Sequence, residues 1–281
     1  MKTIGIIGSG LMGSGIAQVC ASAGYIVKLI DINDQSLNKG IGSIKKSLGK
    51  LSEKGKISSD DLDNTLSRIV TSTNYLDLKN ADIVIEAATE NYDLKIKILK
   101  EICEIVPTST VLATNTSSIS ITDLAGKISH PERFIGIHFF NPVPLMTLVE
   151  IIKGLETSES TYQVAQSLIT QINKHPITVK NSPGFAVNRI LIPMLNEAFF
   201  VLAEGLASPE DIDAGMVLGC NHPIGPLALA DLVGLDTLLS ATEVFYKNFG
   251  DSKYRPCPLL REMVAAGYLG RKSGRGVYVY Q

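Results

Sequence analysis

The chain has little of what marks secreted, metal-stabilised or membrane-anchored proteins. It contains four cysteines and four histidines among 281 residues, with no C-x-x-C pair. This scarcity argues against a disulfide framework or a metal site and predicts free thiols in a reducing compartment. No apolar run is long enough to span a bilayer. The N-terminus leads directly into a strand pattern, so a signal peptide is not expected either. We therefore expect a cytoplasmic protein that binds no metal and no membrane.

An excess of charge of either sign is also missing. The 26 lysines and arginines are nearly balanced by 28 aspartates and glutamates, which leaves a net charge of −2. A chain of this charge is not expected to bind nucleic acid. Hydrophobic residues make up 45% of the sequence and charged residues only 19%. Such a composition favours large buried interfaces, so we expect a homodimer or a higher homo-oligomer.

A glycine-rich loop lies between an apolar strand pattern and a helical pattern at the start of the chain. Thr3–Ile7 is short and β-branched, as a strand buried in a parallel sheet is. In the loop that follows, Gly8 permits a tight turn, Gly10 allows close approach to a pyrophosphate, and Gly13 allows close helix–strand packing. A lone motif of this kind also occurs in ordinary turns. As a dinucleotide site, the loop would contact the cofactor through Gly8, Gly10, Leu11, Met12 and Gly13.

An aspartate at the end of the next strand pattern supports the dinucleotide interpretation. Tyr25–Ile30 is apolar, and Asp31 follows it, eighteen residues after Gly13. A carboxylate at this place accepts hydrogen bonds from ribose hydroxyls and repels a 2′-phosphate. No arginine follows Asp31 closely, so the predicted cofactor is NAD rather than NADP.

Two domains are predicted from the order of the patterns. Strands alternate with helices over residues 1–182, which indicates an α/β Rossmann-type, doubly wound, mostly parallel sheet that binds NAD. A lysine-rich helical excursion interrupts this alternation at about residues 34–68. The break at 179–184 is followed by an all-helical domain over residues 183–281, where we expect dimerisation. Its predicted helices are Phe185–Glu204, Pro209–Leu218, Gly225–Phe249 and Cys257–Ala266, with Gly205, Gly219 and Gly250 as stops.

Two residues placed symmetrically about Pro144 predict an acid/base pair. His138 ends an apolar strand, and Glu150 lies in another apolar segment, where an unpaired carboxylate is unfavourable. A reversal at Pro144 would bring them together, so that the carboxylate fixes the tautomer of the imidazole. Packing is the alternative role for the histidine. Ser117 and Asn188 are further candidates, with a helix cap and a surface amide as their alternatives. From residue chemistry alone, the chain is an NAD-linked oxidoreductase acting on a hydroxyl group.

Five short motifs form a recognisable set along the chain, and they are Gly8–Ala17, Asn115–Ser118, His138–Pro144, Leu148–Glu150 and Pro183–Arg189. Together they resemble the short-chain L-3-hydroxyacyl-CoA dehydrogenases, and among these most a bacterial 3-hydroxybutyryl-CoA dehydrogenase. The closing Gly270–Gly274 and the length of the chain match as well, so the resemblance covers nearly the whole sequence.

The resemblance implies a reaction and a role for each candidate residue. The reaction is the NAD-dependent interconversion of acetoacetyl-CoA and (S)-3-hydroxybutyryl-CoA, with His138 as general acid/base and Glu150 as its support. Ser117 and Asn188 would bind the substrate oxygen and the thioester region, in a substrate cleft to which the C-terminal domain contributes. The positions that match cofactor contacts are Glu90, Lys95, Asn115, Asn141 and Lys272.

The resemblance also gives the segment 34–68 a function as an arm that contacts coenzyme A. Ser47, Lys50 and Lys54 share one face of a helix, at spacings i, i+3 and i+7. Such ammonium groups could meet the phosphates of the acyl-CoA substrate. From the residues alone, a solvated charged face is the alternative.

Two other functions compete with this one. Two-domain dehydrogenases of the 3-hydroxyisobutyrate or 6-phosphogluconate type share the N-terminal pattern. However, they carry a catalytic lysine where this chain has Asn188, four residues after Gly184. A protein that binds NAD(H) without catalysis is the second alternative, but it has no need of an acid/base pair such as His138 and Glu150.

Overall fold

The computed structural model describes residues 1–280, and the chain divides into two compact units, Met1–Ser182 and Pro183–Gln281. Eight strands of the first unit form one sheet in the order β3-β2-β1-β4-β5-β6-β7-β8. They are β1 (Thr3–Ile7), β2 (Ile26–Ile30), β3 (Ile69–Ser72), β4 (Ile83–Glu86), β5 (Val111–Thr114), β6 (Phe134–Phe139), β7 (Leu148–Lys153) and β8 (His175–Lys180).

The direction of the strands explains why most of them are apolar throughout. Strands β1 to β6 run parallel, β7 is antiparallel to β6, and β8 is parallel to β7. Every residue of β4, β5 and β6 is buried, as expected of central strands in a doubly wound sheet. The predicted Rossmann-type, mostly parallel sheet is confirmed. The order of the strands reverses between β1 and β4, and such a switch point is where open α/β sheets bind ligands.

Six helices connect these strands, and several begin at a side chain that caps them. They are α1 (Leu11–Ser22), α2 (Asp34–Glu53), α3 (Ser59–Ser67), α4 (Tyr92–Ile105), α5 (Ile121–Ala125) and α6 (Glu159–Gln171). Asn33 caps α2, and Ser58 forms a capping box with Asp61 at α3. Leu37, Ile44 and Leu48 bury one face of α2. The excursion predicted at 34–68 therefore consists of α2 and α3.

Strand β8 was not predicted, because its sequence lacks the usual signal of a strand. It lies at the edge of the sheet and is half-exposed along its length. Pro176 is its second residue and cannot donate a hydrogen bond to a neighbouring strand, so the position is tolerated only at such an edge.

The second unit is helical, as predicted, but the prediction is wrong at two glycines, Gly219 and Gly234. Its helices are α7 (Val187–Ala203), α8 (Pro209–Cys220), α9 (Pro226–Val233), α10 (Leu235–Phe249) and α11 (Pro258–Ala265). The single helix predicted over Gly225–Phe249 is wrong, because Gly234 has φ +102° and separates α9 from α10. The predicted stop at Gly219 is also wrong, since α8 continues through it to Cys220 and is capped by Asn221, whose φ is 57°. Over residues 1–280, no helix has both the length and the apolar character needed to cross a bilayer.

Candidate active site

A cavity of about 550 Å³ lies at the carboxyl ends of β1, β2 and β4, at the switch point of the sheet. Four predicted cofactor residues line it, namely Gly8, Gly10, Leu11 and Asp31. Ser36, Lys39 and Tyr75 also line this cavity, and no sequence motif indicated them.

The glycine-rich loop fits a pyrophosphate. A Cβ atom on Gly13 would lie 1.8 Å from the carbonyl oxygen of Gly8, so this glycine allows α1 to pack on β1. A Cβ atom on Gly10 would meet nothing within 4 Å, so its backbone faces open space. The first N–H groups of α1, which starts at Leu11, can bind an anion there. Met12 packs against the hydrophobic core and does not line the cavity.

Three backbone and side-chain donors hold the Asp31 carboxylate. Its Oδ2 atom accepts hydrogen bonds from the backbone N–H and the hydroxyl of Ser9, both at 2.6 Å, and Oδ1 accepts one from the N–H of Ile32 at 2.7 Å. Gly40 of α2 allows this arrangement, since a Cβ atom there would lie 2.7 Å from the Ser9 carbonyl oxygen. Ser9 thus fixes the orientation of the carboxylate that is predicted to bind the ribose, and no sequence motif had indicated this serine.

Glu90 holds the loop that carries Ser117. Its Oε1 atom accepts hydrogen bonds from the backbone N–H of Ser117 at 2.8 Å and from the hydroxyl at 3.1 Å. Its Oε2 atom accepts one from the Thr116 hydroxyl at 2.8 Å. The glutamate side chain is nevertheless 48% exposed, so it can also meet a ligand.

Lys95 is buried and does not line the cofactor cavity. Its ammonium group forms an ion pair with Glu86, which is fully buried at the end of β4, and a hydrogen bond of 3.2 Å to the Thr114 hydroxyl. Glu86 also accepts the N–H of Ala88, a residue of the cavity wall, at 2.9 Å. The ion pair therefore stabilises the cavity wall through the contact of Glu86 with Ala88. Removing one partner of a buried ion pair lowers the free energy of unfolding by about 3–5 kcal/mol.

The remaining three predicted cofactor residues occupy different surroundings. Asn115 joins the end of β5 to β6, because its Oδ1 atom accepts the N–H of Phe139 at 2.9 Å. Asn141 is exposed in the turn after β6, and its peptide bond to Pro142 is cis. Lys272 belongs to the second unit, where its ammonium group lies 2.5 and 2.7 Å from the carboxylate oxygens of Asp236.

His138 and Glu150 face each other across the antiparallel pair of β6 and β7. The Nδ1 atom of the histidine lies 2.8 Å from Oε2 of the glutamate, and both side chains are buried. The ring of Phe140 packs against the imidazole, with 4.6 Å between the ring centroids. A carboxylate only accepts hydrogen bonds, so Nδ1 is the protonated nitrogen of the neutral ring.

Asn188 lies in the first turn of α7 and is half-buried. The segment before it includes Gly184 at φ 74° and Phe185 at φ 52°. A Cβ atom on Gly184 would lie 2.1 Å from the ring of Phe245, so only glycine fits this approach to α10.

A second cavity of the first unit, about 190 Å³ in volume, brings together the three predicted coenzyme A residues. Ser47 and Lys50 of α2, and Lys54 at its end, line the cavity together with Lys56. Lys56 follows the end of the helix, so the helical spacing could not indicate it. The opposite wall consists of Pro142, Pro144 and Leu145.

Both units match models of one protein family. Residues 3–182 match the NAD binding domain of 3-hydroxyacyl-CoA dehydrogenase, and residues 184–280 match its C-terminal domain. The chain belongs to the 3-hydroxyacyl-CoA dehydrogenase family. The predicted enzyme class, an NAD-dependent dehydrogenase acting on a CH–OH group, is thereby confirmed, and so is NAD as the cofactor.

Several relatives are similar over more than nine-tenths of their length. A probable 3-hydroxybutyryl-CoA dehydrogenase of Bacillus subtilis is 49% identical over 281 residues, which is 100% of this chain and 98% of the relative. The human mitochondrial hydroxyacyl-coenzyme A dehydrogenase is 40% identical over 288 residues, covering 100% of this chain and 92% of the relative. The crystal structure of (S)-3-hydroxybutyryl-CoA dehydrogenase from Ralstonia eutropha has a TM-score of 0.98 and 62% identity, and covers 100% of this chain and 99% of that one. The predicted resemblance is confirmed.

Proposed function

We propose that this dehydrogenase interconverts acetoacetyl-CoA and (S)-3-hydroxybutyryl-CoA, with His138 as the general acid/base. The choice of substrate rests on two bacterial relatives. The one of 49% identity is a probable 3-hydroxybutyryl-CoA dehydrogenase, and the one of 62% identity is an (S)-3-hydroxybutyryl-CoA dehydrogenase. The chemical role rests on one observation, the buried contact between His138 and Glu150 next to the carboxyl edge of the sheet.

His138 can transfer a proton in this arrangement because the two nitrogens of its imidazole have different partners. With Nδ1 hydrogen-bonded to Glu150, proton exchange with the C3 oxygen of the substrate falls to Nε2. This atom accepts the hydroxyl proton during oxidation and returns it during reduction, and the Glu150 carboxylate stabilises the imidazolium that forms in between. NAD held by the glycine-rich loop and Asp31 would supply the hydride acceptor for C3 during oxidation, and NADH the hydride donor during reduction.

We assign the binding of the substrate oxygen and of the thioester region to Ser117 and Asn188. The Ser117 hydroxyl donates to Glu90 in the structure, and a hydroxyl has only one proton to donate. To bind the substrate, Ser117 therefore exchanges this acceptor for the substrate oxygen. Its backbone N–H, which Glu90 also holds, keeps the loop in place during the exchange.

The cofactor contacts remain proposals residue by residue. Asp31 would take the ribose hydroxyls and the loop from Gly8 to Gly13 the pyrophosphate, which the open space at Gly10 supports. Contacts from Glu90, Lys95, Asn115, Asn141 and Lys272 stay predictions from the resemblance. For Lys95 the burial of its ammonium group favours an indirect role through Glu86 and the cavity wall.

The acyl-CoA phosphates would meet the cavity lined by Ser47, Lys50 and Lys54. Ammonium groups gathered around one cavity, with Lys56 added to the predicted set, favour an anionic ligand over a solvated face. We also propose a cytoplasmic location, which the four free thiols support, and a homodimer or larger assembly formed through the C-terminal unit.

A kinetic comparison of NADH and NADPH tests the proposal. We expect the purified protein to oxidise NADH with acetoacetyl-CoA and to turn over NADPH much more slowly.

His138→Ala is expected to lower kcat by roughly a hundredfold or more, as loss of a general acid/base does, while NADH still binds in a fluorescence titration. His130→Asn is the control, because this exposed histidine has φ 59°, which asparagine tolerates. Near-normal turnover of His138→Ala would overturn the acid/base role. NADH binding by the wild type without turnover would favour the non-catalytic alternative.

A further inference from the structure

The loop Asn141–Met146 lies between β6 and β7, packs against α1 and lines the cavity that contains the α2 lysines. Val143 packs against α1 so closely that a Cβ atom on Gly15 would lie 2.8 Å from its Cβ atom. Pro142, Pro144 and Leu145 form the wall of the cavity that faces the α2 lysines. The shape of this loop therefore determines the width of that cavity.

Within the loop, one carbonyl accepts two backbone hydrogen bonds. The N–H groups of Leu145 and Met146 both donate to the carbonyl oxygen of Pro142, at 2.9 and 3.0 Å. The carbonyl oxygens of Val143 and Met146 instead accept hydrogen bonds from the ammonium group of Lys174, each at 2.6 Å. A single side chain from another part of the fold thus joins both ends of the turn.

Backbone hydrogen bonds on both sides of Lys174 fix the position of its Cα atom, so its side chain starts from a fixed point next to the loop. Helix α6 ends in a Schellman motif, in which Asn173 has φ 57° and the N–H of Lys174 donates to the carbonyl of Ile169 at 3.0 Å. The next residue, His175, donates its N–H to the carbonyl of Thr147 at 2.8 Å, directly after the loop.

Burial lowers the pKa of Lys174. Its two hydrogen-bond acceptors in the loop are neutral carbonyls rather than carboxylates. The ammonium group of Lys174 is therefore partly removed from water where it binds this turn. A lysine that only covered the surface would keep its ammonium group in water.

We propose that Lys174 is a positioning residue for the acyl-CoA substrate, which acts by holding the loop Asn141–Met146 as the wall of the lysine-lined cavity. The inference rests on the proposed function for its substrate. Lys174 itself touches neither the substrate nor His138 in this proposal. Its loss should therefore weaken acyl-CoA binding and leave the proton transfer intact.

Three substitutions test this role. Lys174→Met keeps the aliphatic stem and removes the ammonium group, Lys174→Arg restores a donor, and Lys180→Met is the matched control at the exposed far end of β8. We expect Lys174→Met to raise KM for acetoacetyl-CoA about fivefold, with kcat and the KM for NADH changed less than about twofold. Lys174→Arg should recover part of the loss, and Lys180→Met should behave as the wild type.

Hydrogen exchange followed by mass spectrometry gives a readout that does not depend on activity. The amides of Leu145 and Met146 should exchange about tenfold faster in Lys174→Met than in the wild type, because the loop opens more often. Unchanged exchange, or an unchanged KM in a variant that is active and folded, would overturn the inference. A purely structural role would lower Tm and the active fraction while KM stayed constant. If the wild type fails to turn over acetoacetyl-CoA, the proposed function is wrong. The exchange rates would still test whether Lys174 stabilises the loop.

Discussion

Two carboxylates in the candidate active site bind side chains with proposed roles, one the proposed acid/base His138 and the other the proposed substrate-binding Ser117. Glu150 is fully buried and contacts the imidazole of His138, whereas Glu90 is half-exposed and accepts from the hydroxyl of Ser117. The difference in burial fits the difference in role. In the proposed mechanism, Glu150 stays bound to the ring throughout the cycle. The contact of Glu90 with Ser117 would be exchanged for the substrate, since an exposed hydrogen bond competes with water.

Lys54 offers a test of the coenzyme A site with little risk to folding, because it is exposed at the end of α2. Lys54→Ala should raise KM for acetoacetyl-CoA roughly tenfold, since a hydrogen bond to a charged group contributes about 1.5 kcal/mol or more. The affinity for NADH should not change. Lys46→Ala is the control, because this exposed lysine lies on the same helix but does not line the cavity. An equal effect of Lys54→Ala on both substrates would contradict the assignment.

At the scale of single elements, the sequence predicts best where burial is complete. Strand β6 is buried at every residue, and the sequence predicted an apolar strand that ends near His138. The spacing of His138 and Glu150 about Pro144 also predicted their facing positions. Strand β8 could not be predicted, because an edge strand with a proline and a half-exposed face has no apolar run. The hydrogen bonds from Lys174 to the loop could not be predicted for another reason. They join residues about thirty positions apart and end on backbone carbonyls, which every residue type has.

Helix α2 contains a pair of glycines with opposite expected effects. Gly42 is exposed in the helix interior, and a Cβ atom there would meet nothing within 4 Å, whereas a Cβ atom on Gly40 would lie 2.7 Å from the Ser9 carbonyl oxygen. Gly42→Ala should therefore raise the free energy of unfolding by about 0.5–1 kcal/mol. Gly40→Ala should lower it by about 1–3 kcal/mol and also raise the KM for NADH, because Ser9 holds Asp31.

Chemical denaturation and steady-state kinetics on the two variants measure both effects. Stabilisation by Gly40→Ala, with an unchanged KM for NADH, would show that the close approach of α2 to the glycine-rich loop has no bearing on the ribose-binding carboxylate.

At the scale of the whole molecule, each unit has a hydrophobic core of its own. The core of the first unit runs along the sheet from β1 to β7, and that of the second gathers Phe199, Leu227, Leu238 and Phe245. The family models also divide the chain at this boundary, between residues 182 and 184. His138 and the contact surface proposed for the assembly therefore belong to parts of the chain with separate hydrophobic cores.

The proposed assembly predicts a specific surface of the second unit as the contact. An apolar cavity of about 450 Å³ lies between α7 and α8, and its lining includes Val201, Ile212 and Met216. Met216 of α8 lines this cavity and is only partly buried. A second copy of the chain that covers this surface would bury the Met216 side chain, and a charge placed there would be left without water or a partner.

Sedimentation velocity should accordingly show the wild type as a dimer or larger species and Met216→Glu as a monomer with unchanged circular dichroism. Leu155→Glu is the matched control, since this leucine is 81% exposed in the first unit, and it should keep the mass of the wild type. A buried glutamate without a partner costs several kcal/mol, which would weaken any interface that covers it. A monomeric wild type, or an unchanged mass of Met216→Glu, would therefore rule out this surface as the contact.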